Sequence, residues 1–162
     1  LLLLRRGQSS DYVKEGAMSR AKHKVQIKRV YDKLSADDGA CFLVDRIWPR
    51  GVSKSAMQSA IWLRDVAPSA PLRKWFAHEP AKWPDFQKRY RGELQKNRAA
   101  CEPLLEAMRK GDVTLLFAAK DLGMNNAAVL KGFLEQQAGK EGGGSAPLAR
   151  ARVVNTGLRR NF

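Results

Sequence analysis

Two short stretches of the chain hold side chains suited to gripping an anion. Asp45, Arg46, Trp48, Arg50 and Gly51 stand within residues 45–51, and Lys120, Asp121, Asn125 and Asn126 within residues 120–126. Guanidinium and ammonium groups give the strongest hydrogen bonds to phosphate and carboxylate oxygens. Arg46 and Arg50 are therefore the expected anion contacts, with Asp121 as the local base for any proton transfer. Asn125 directly precedes an apolar-periodic segment, so it either caps a helix or presents a helix N-terminus to a ligand. A structural alternative stands beside this one: Asp45 pairs with an arginine, and Trp48 and Pro49 plug a loop.

Other chemistries lack their signatures. Cys41 lies in an apolar run and Cys101 in an expected helix, so both read as buried thiols, and two cysteines form neither a disulfide framework nor a close-spaced ligand pair. His78-Glu79 begins like the zinc motif HExxH, but Lys82 occupies the place of the second histidine, and His23 has no partner by spacing. No metal site and no cofactor are expected. Neither the Walker spacing nor a Gly-x-Gly-x-x-Gly turn follows a strand, and no nucleophile elbow is present. Gly142-Gly143-Gly144 belongs to a stretch of linker composition.

The elements that must carry these groups follow from periodicity. Val25 to Tyr31 and the more continuously apolar Cys41 to Ile47 are strand candidates, separated by a polar turn at Ser35 to Gly39. In Trp48-Pro49-Arg50-Gly51, proline ends ladder donation and glycine permits an unusual turn. Ser69 followed by Pro71 starts a helix, with Leu72, Trp75 and Phe76 on one face. Trp83, Phe86, Tyr90 and Leu94 form the stripe of the next helix, with Lys88, Arg89 and Arg91 on its other faces. That mixture is read as core packing rather than a base-stacking surface. A third helix carries Leu104, Leu105 and Met108 and ends at Gly111. VTLLFAA (Val113 to Ala119) is a third buried strand, and a last helix covers about Asn125 to Gln137. Strands separated by helices predict a single compact, three-layer α/β domain whose mainly parallel sheet is flanked by helices. Ligands of such sheets bind beyond the carboxyl ends of the strands, where the two polar loops fall.

A chain of 162 residues suits one domain. Residues 1–20 read as an extension outside it, since the first Met is Met18, and residues 139–162 as a flexible, basic, Gly-rich tail around residues 21–138. Leu1 to Leu4 is too short for a membrane span and lacks the order of a signal peptide. The expected setting is therefore the cytoplasm of a bacterium, without membrane contact. The formal charge of +14 falls to +9 when residues 1–20 (+2) and 141–162 (+3) are set aside. That excess admits non-specific contact with nucleic acid, above all through the tail, but supplies no base-reading motif.

The segments VDRIWPRGVSK (Val44 to Lys54), APSAPLRKWFAHEPAKWPDFQKRYRGEL (Ala67 to Leu94) and VTLLFAAKDLGMNNAAVLKGFL (Val113 to Leu134) resemble the YeaO-like proteins of the domain of unknown function 488 family. The likeness covers about residues 24–136 and implies a compact α/β domain without implying an activity. It carries over Asp45, Arg46, Trp48, Pro49, Arg50, Gly51, Ser69, Arg73, Trp75, Asp121 and Asn125. Where other branches of the family carry Cys-His-Arg after the last strand, this chain has Asn125, Asn126 and Ala127, which removes the thiol. Asn126 also stands where YeaO-like members more often carry histidine. The expected ligand set is then Asp45, Arg46, Trp48, Arg50, Gly51, Ser69, Arg73, Lys120, Asp121 and Asn125. The expected function is binding of, or catalysis on, a small anionic or phosphorylated molecule, with a nucleic-acid-associated module as the alternative.

Overall fold

The computed structural model describes residues 23–141, so the expected N-terminal extension and nearly all of the expected tail lie outside the described residues. Four strands, β1 (Val25–Arg29), β2 (Ala40–Leu43), β3 (Ala60–Trp62) and β4 (Val113–Phe117), form one sheet in the order β1-β4-β2-β3. Every pairing is parallel. Central β4 is buried at all five positions, as its unbroken apolar run requires when both edges are paired and both faces covered.

The helices are α1 (Ala70–Phe76), α2 (Trp83–Lys96), α3 (Glu102–Lys110) and α4 (Asn126–Glu141). Strand alternation divides the interior in two. Phe42, Val113, Leu115 and Phe117 pack with the buried residues of all four helices, among them Phe76, Phe86, Tyr90, Leu104, Leu130 and Leu134. Each such side chain contributes roughly 1.5–3 kcal/mol of burial. On the other face Cys41, Leu43 and Leu116 meet Met57, Trp48 and Val52 from the β2–β3 connection. The expected compact parallel α/β domain is present, with a loop rather than helices forming the layer on this second face. That segment begins with Trp48-Pro49 and includes Gly51 in a left-handed conformation (φ 75°), so it closes as a loop instead of winding into a helix.

Several elements differ from expectation, β1 and β4 among them, which end at Arg29 and Phe117 rather than at Tyr31 and Ala119. β2 ends at Leu43, which frees Asp45 and Arg46 from the ladder, and β3 was not expected at all. α4 continues through Gly139, Lys140 and Glu141, where Glu141 accepts hydrogen bonds from Arg98 and Arg109. At the opposite end of the sheet, Gly39 (φ 63°) lets the chain enter β2, and a Cβ there would collide with the Asp112 carbonyl oxygen.

Candidate functional site

A cavity of about 630 Å³ opens beyond the carboxyl ends of β2 and β4, between their following loops and α1. Its first wall is the segment after β2. Asp45 is fixed there from three sides: its Oδ2 accepts from the Ala118 N–H at 2.8 Å, its Oδ1 accepts from Asn126 Nδ2 at 3.2 Å, and its carbonyl accepts from Trp62 Nε1 at 2.8 Å. The same Asn126 amide donates to the Val44 carbonyl at 2.9 Å, so the first residue of α4 ties down the segment that follows β2. Trp62 meets Trp48 edge-on at 5.4 Å. The short strand β3 thus anchors the backbone that presents Asp45.

The second wall is α1. Ser69 caps it, accepting from the Leu72 N–H at 3.3 Å while donating to Glu93 of α2. Arg73 and Phe76, three residues apart, share one face and line the cavity. Phe76 stacks on Phe86 at 4.3 Å, making an aromatic floor. The chain leaves α1 through two consecutive left-handed residues, Ala77 (φ 46°) and His78 (φ 58°). Side chains other than glycine adopt this conformation at a cost, and such strain gathers at functional sites. Here it sets His78 in the cavity wall.

The third wall is the β4–α4 loop. Asp121 Oδ1 accepts from the Gly123 and Met124 N–H groups, both at 2.8 Å, closing a turn. Asn125 accepts from the Ala128 N–H at 2.9 Å and donates to the Asp121 carbonyl at 2.9 Å, so both ends of its amide are engaged. Asn125 caps α4, as its place before the apolar stripe suggested.

Two carboxyls in one cavity are therefore tuned in opposite directions. The backbone N–H groups of Met124 and Gly123, helped by nearby His78, hold Asp121 below the usual carboxylate range. That makes it a weaker proton acceptor than the base expected from sequence. Burial pushes Asp45 up, against the opposing pull of the Ala118 N–H, the Asn126 amide and the Arg73 guanidinium. Arg73 itself is incompletely satisfied: among the described residues its Nε is the one buried side-chain nitrogen or oxygen without a hydrogen-bond partner.

Of the ten residues expected to bind ligand, Asp45, Arg46, Trp48, Arg73, Lys120, Asp121 and Asn125 line the cavity, whereas Arg50, Gly51 and Ser69 do not. Trp48 Nε1 donates to the Val52 carbonyl at 2.7 Å and closes the loop whose tip is Arg50-Gly51. Arg50 is exposed there, with its carbonyl accepting from the Tyr31 hydroxyl. The Ser69 hydroxyl is committed to the cap and Glu93. Arg46 faces Asp65 at 3.7 Å rather than Asp45, with both side chains substantially exposed. Lining residues outside the expected set include Asn126 and Met124, His78, placed by the left-handed turn, and Phe76 and Phe86, whose helical stripe marked them as core and which are core and cavity floor together. No serine, threonine or cysteine lines the cavity. Both thiols are buried elsewhere, and burial pushes Cys101 up to about 11.

Residues 24–151 match the family model described as "Inactive DUF488-N3 subclade". The chain is a YeaO-like member of the DUF488 family. It is 37% identical over 110 residues to the uncharacterized protein YeaO of Escherichia coli, covering 68% of this chain and 96% of that one. It is 40% identical over 107 residues to the uncharacterized protein Rv3073c of Mycobacterium tuberculosis, covering 66% of this chain and 90% of that one. No solved structure matches this DUF488 chain. Among its described residues no helix is long and apolar enough to cross a membrane, and no three His, Cys, Asp or Glu side chains are grouped to hold a metal ion.

Proposed function

We propose that this DUF488 domain binds a small anionic or phosphorylated molecule in the cavity between the β2 and β4 loops, and that it binds without catalysing a reaction. The observation that carries the reading is the unpartnered Nε of Arg73 in the cavity wall. Buried polar atoms in folded proteins are almost always hydrogen-bonded, so this exception, on a side chain that lines the cavity, points to an acceptor that the chain itself does not supply. Arg46 and Lys120 add cationic charge to the same walls. Binding is favoured over catalysis because the walls hold no hydroxyl or thiol nucleophile and because the matching family model is described as inactive. Calorimetric titration of the full chain with inorganic phosphate tests this. Saturable binding that Arg73→Ala weakens about tenfold or more without unfolding the protein supports it, and no binding at millimolar phosphate sinks it.

A second reading, a cytoplasmic nucleic-acid-associated module, draws on the formal charge of +14. Trp75 is a poor stacking platform for it, since Arg89 lies over its ring at 4.1 Å and Lys82 at 5.5 Å. Gel shifts that are sequence-selective and survive raised salt would promote this reading over the first.

A further inference from the structure

Arg73 and Asp45 stand in one cavity with complementary needs. Arg73 Nε carries a proton and lacks an acceptor. Each Asp45 oxygen already accepts one hydrogen bond from the protein, from the Ala118 N–H and from Asn126 Nδ2, and a carboxylate oxygen has room for another. An anion drawn to Arg73 therefore meets a carboxylate. Sulfate, fully ionised, has no proton to offer it and is repelled. A phosphate monoester, whose second ionisation falls near pH 6, can keep one proton and donate it. The cavity is also many times larger than a phosphate group, and Phe76, Phe86, Met124 and Trp48 supply apolar wall.

The geometry points to a phosphate monoester with an apolar or aromatic body as the ligand of this cavity, bound with one proton that it donates to Asp45 while the Arg73 guanidinium donates to a neighbouring phosphate oxygen. This deepens the binding proposal above and rests on it. Sites built to accept a hydrogen bond from a ligand hydroxyl discriminate strongly against ligands lacking it, because the protein group is then left unpaired. The burial that raises the affinity of Asp45 for a proton makes it the better acceptor. The other charged or titratable groups around it are Arg73 of α1, His78 just after α1, Tyr90 of α2, Arg46 beside it, and Lys120 and Asp121 of the β4–α4 loop. Of these, histidine is the group whose ordinary titration lies between pH 5 and 8. His78→Asn removes it and keeps a side chain tolerant of left-handed backbone.

The test is calorimetry on the full chain and on His78→Asn, with phenyl phosphate, inorganic phosphate and sulfate, at neutral and mildly acid pH. Buffers of differing ionisation enthalpy report proton uptake. The expected affinity order is phenyl phosphate, then phosphate, then sulfate, with phosphate ahead of sulfate by about tenfold or more at neutral pH. Sulfate should bind with proton uptake and tighten as pH falls, in the parent chain and in His78→Asn alike. Asp45→Asn should bring phosphate and sulfate together. If that variant does not fold, the proton uptake of the parent chain decides. Equal affinity for phosphate and sulfate, both weakened in Arg73→Ala, overturns the proton-donor inference while leaving the anion site standing. Phenyl phosphate binding no tighter than inorganic phosphate overturns the apolar body. Absence of any anion binding removes this inference and the proposal beneath it together.

Discussion

Strand β2 has an aspartate near each end, and the two are built differently. Asp38, just before the strand, is enclosed and fully answered: Lys28 Nζ donates to its two oxygens at 2.8 and 3.1 Å, and the Ser35 N–H donates at 2.6 Å. Its carbonyl accepts from the buried Thr114 hydroxyl at 2.6 Å. Lys28 and Ser35 together hold its carboxyl below the usual range. Asp45, just after the strand, has no such ammonium partner, is pushed upward by burial, and stands in a cavity with an arginine whose Nε is unpartnered. A charge whose needs are met from within the chain stabilises the fold. A charge left partly unanswered beside open space is poised for a ligand.

The sharpest way to break this contrast is to remove the cation at each end. Arg73→Ala should cost phosphate about 1.5–3 kcal/mol of binding, roughly 10- to 100-fold in Kd, with little change in melting midpoint. Lys28→Ala should lower the midpoint and leave phosphate affinity alone. A Lys28 variant that weakens phosphate as much as the Arg73 variant does would erase the distinction between the two ends. Calorimetry and thermal melts on both variants decide it.

Next in size is the support of Asp45. Asn126→Ala removes the donor shared by the Val44 carbonyl and Asp45 Oδ1, so unfolding in urea should show a loss of about 1–3 kcal/mol. Unchanged stability would mean that water replaces that donor and that Asp45 is wetter than its surroundings imply.

The two ends should also respond to pH with opposite signs. The depressed Asp38 contributes stability that is fully present above the unfolded value of about 3.9 and is lost as pH falls through its folded value. The raised Asp45 contributes stability present below about 3.9 and lost as pH rises through its folded value, so at neutral pH its ionisation counts against folding. Urea melts between pH 3 and pH 7 should show Asp38→Asn flattening the acid limb and Asp45→Asn flattening the loss on the way up. The slopes carry the test, because an amide facing the Ala118 N–H changes the absolute stability of the second variant. Slopes of the same sign for both would refute the opposed tuning.

The smallest effect belongs to Arg46→Ala. Its pair with Asp65 spans 3.7 Å between exposed side chains, so stability should change by no more than about 0.5 kcal/mol. Phosphate should weaken less than in Arg73→Ala. A larger stability loss would show that Arg46 supports the fold after all.

Much of this architecture is legible without coordinates. The unbroken apolar run of β4, the helical stripes of α2 and α4, the Ser69 and Asn125 caps and the turn at Gly51 are short-range patterns, set by residues within a few positions of one another. β3 escapes such reading because it is three residues long, with Ile61 57% exposed, and exists by pairing with β2 rather than by its own periodicity. Yet it is β3 that holds the Asp45 backbone, through Trp62.

The sequence by itself therefore determined the class of fold, the parallel arrangement and the two loops where polar side chains gather, since local periodicity and turn chemistry encode them. Only the tertiary structure decided which of those side chains meet. Arg50 and Ser69 drop out because a closed loop and a helix cap claim them, and His78 enters because two left-handed residues turn the chain back on the cavity. The opposite tuning of Asp45 and Asp121 arises from partners at different sequence distances. Asp121 is answered by N–H groups two and three residues away, whereas Asp45 depends on Ala118 and Asn126, more than seventy positions along the chain. Burial and long-range hydrogen bonding, which set a carboxyl's charge state and its availability to a ligand, exist only once the strands have paired.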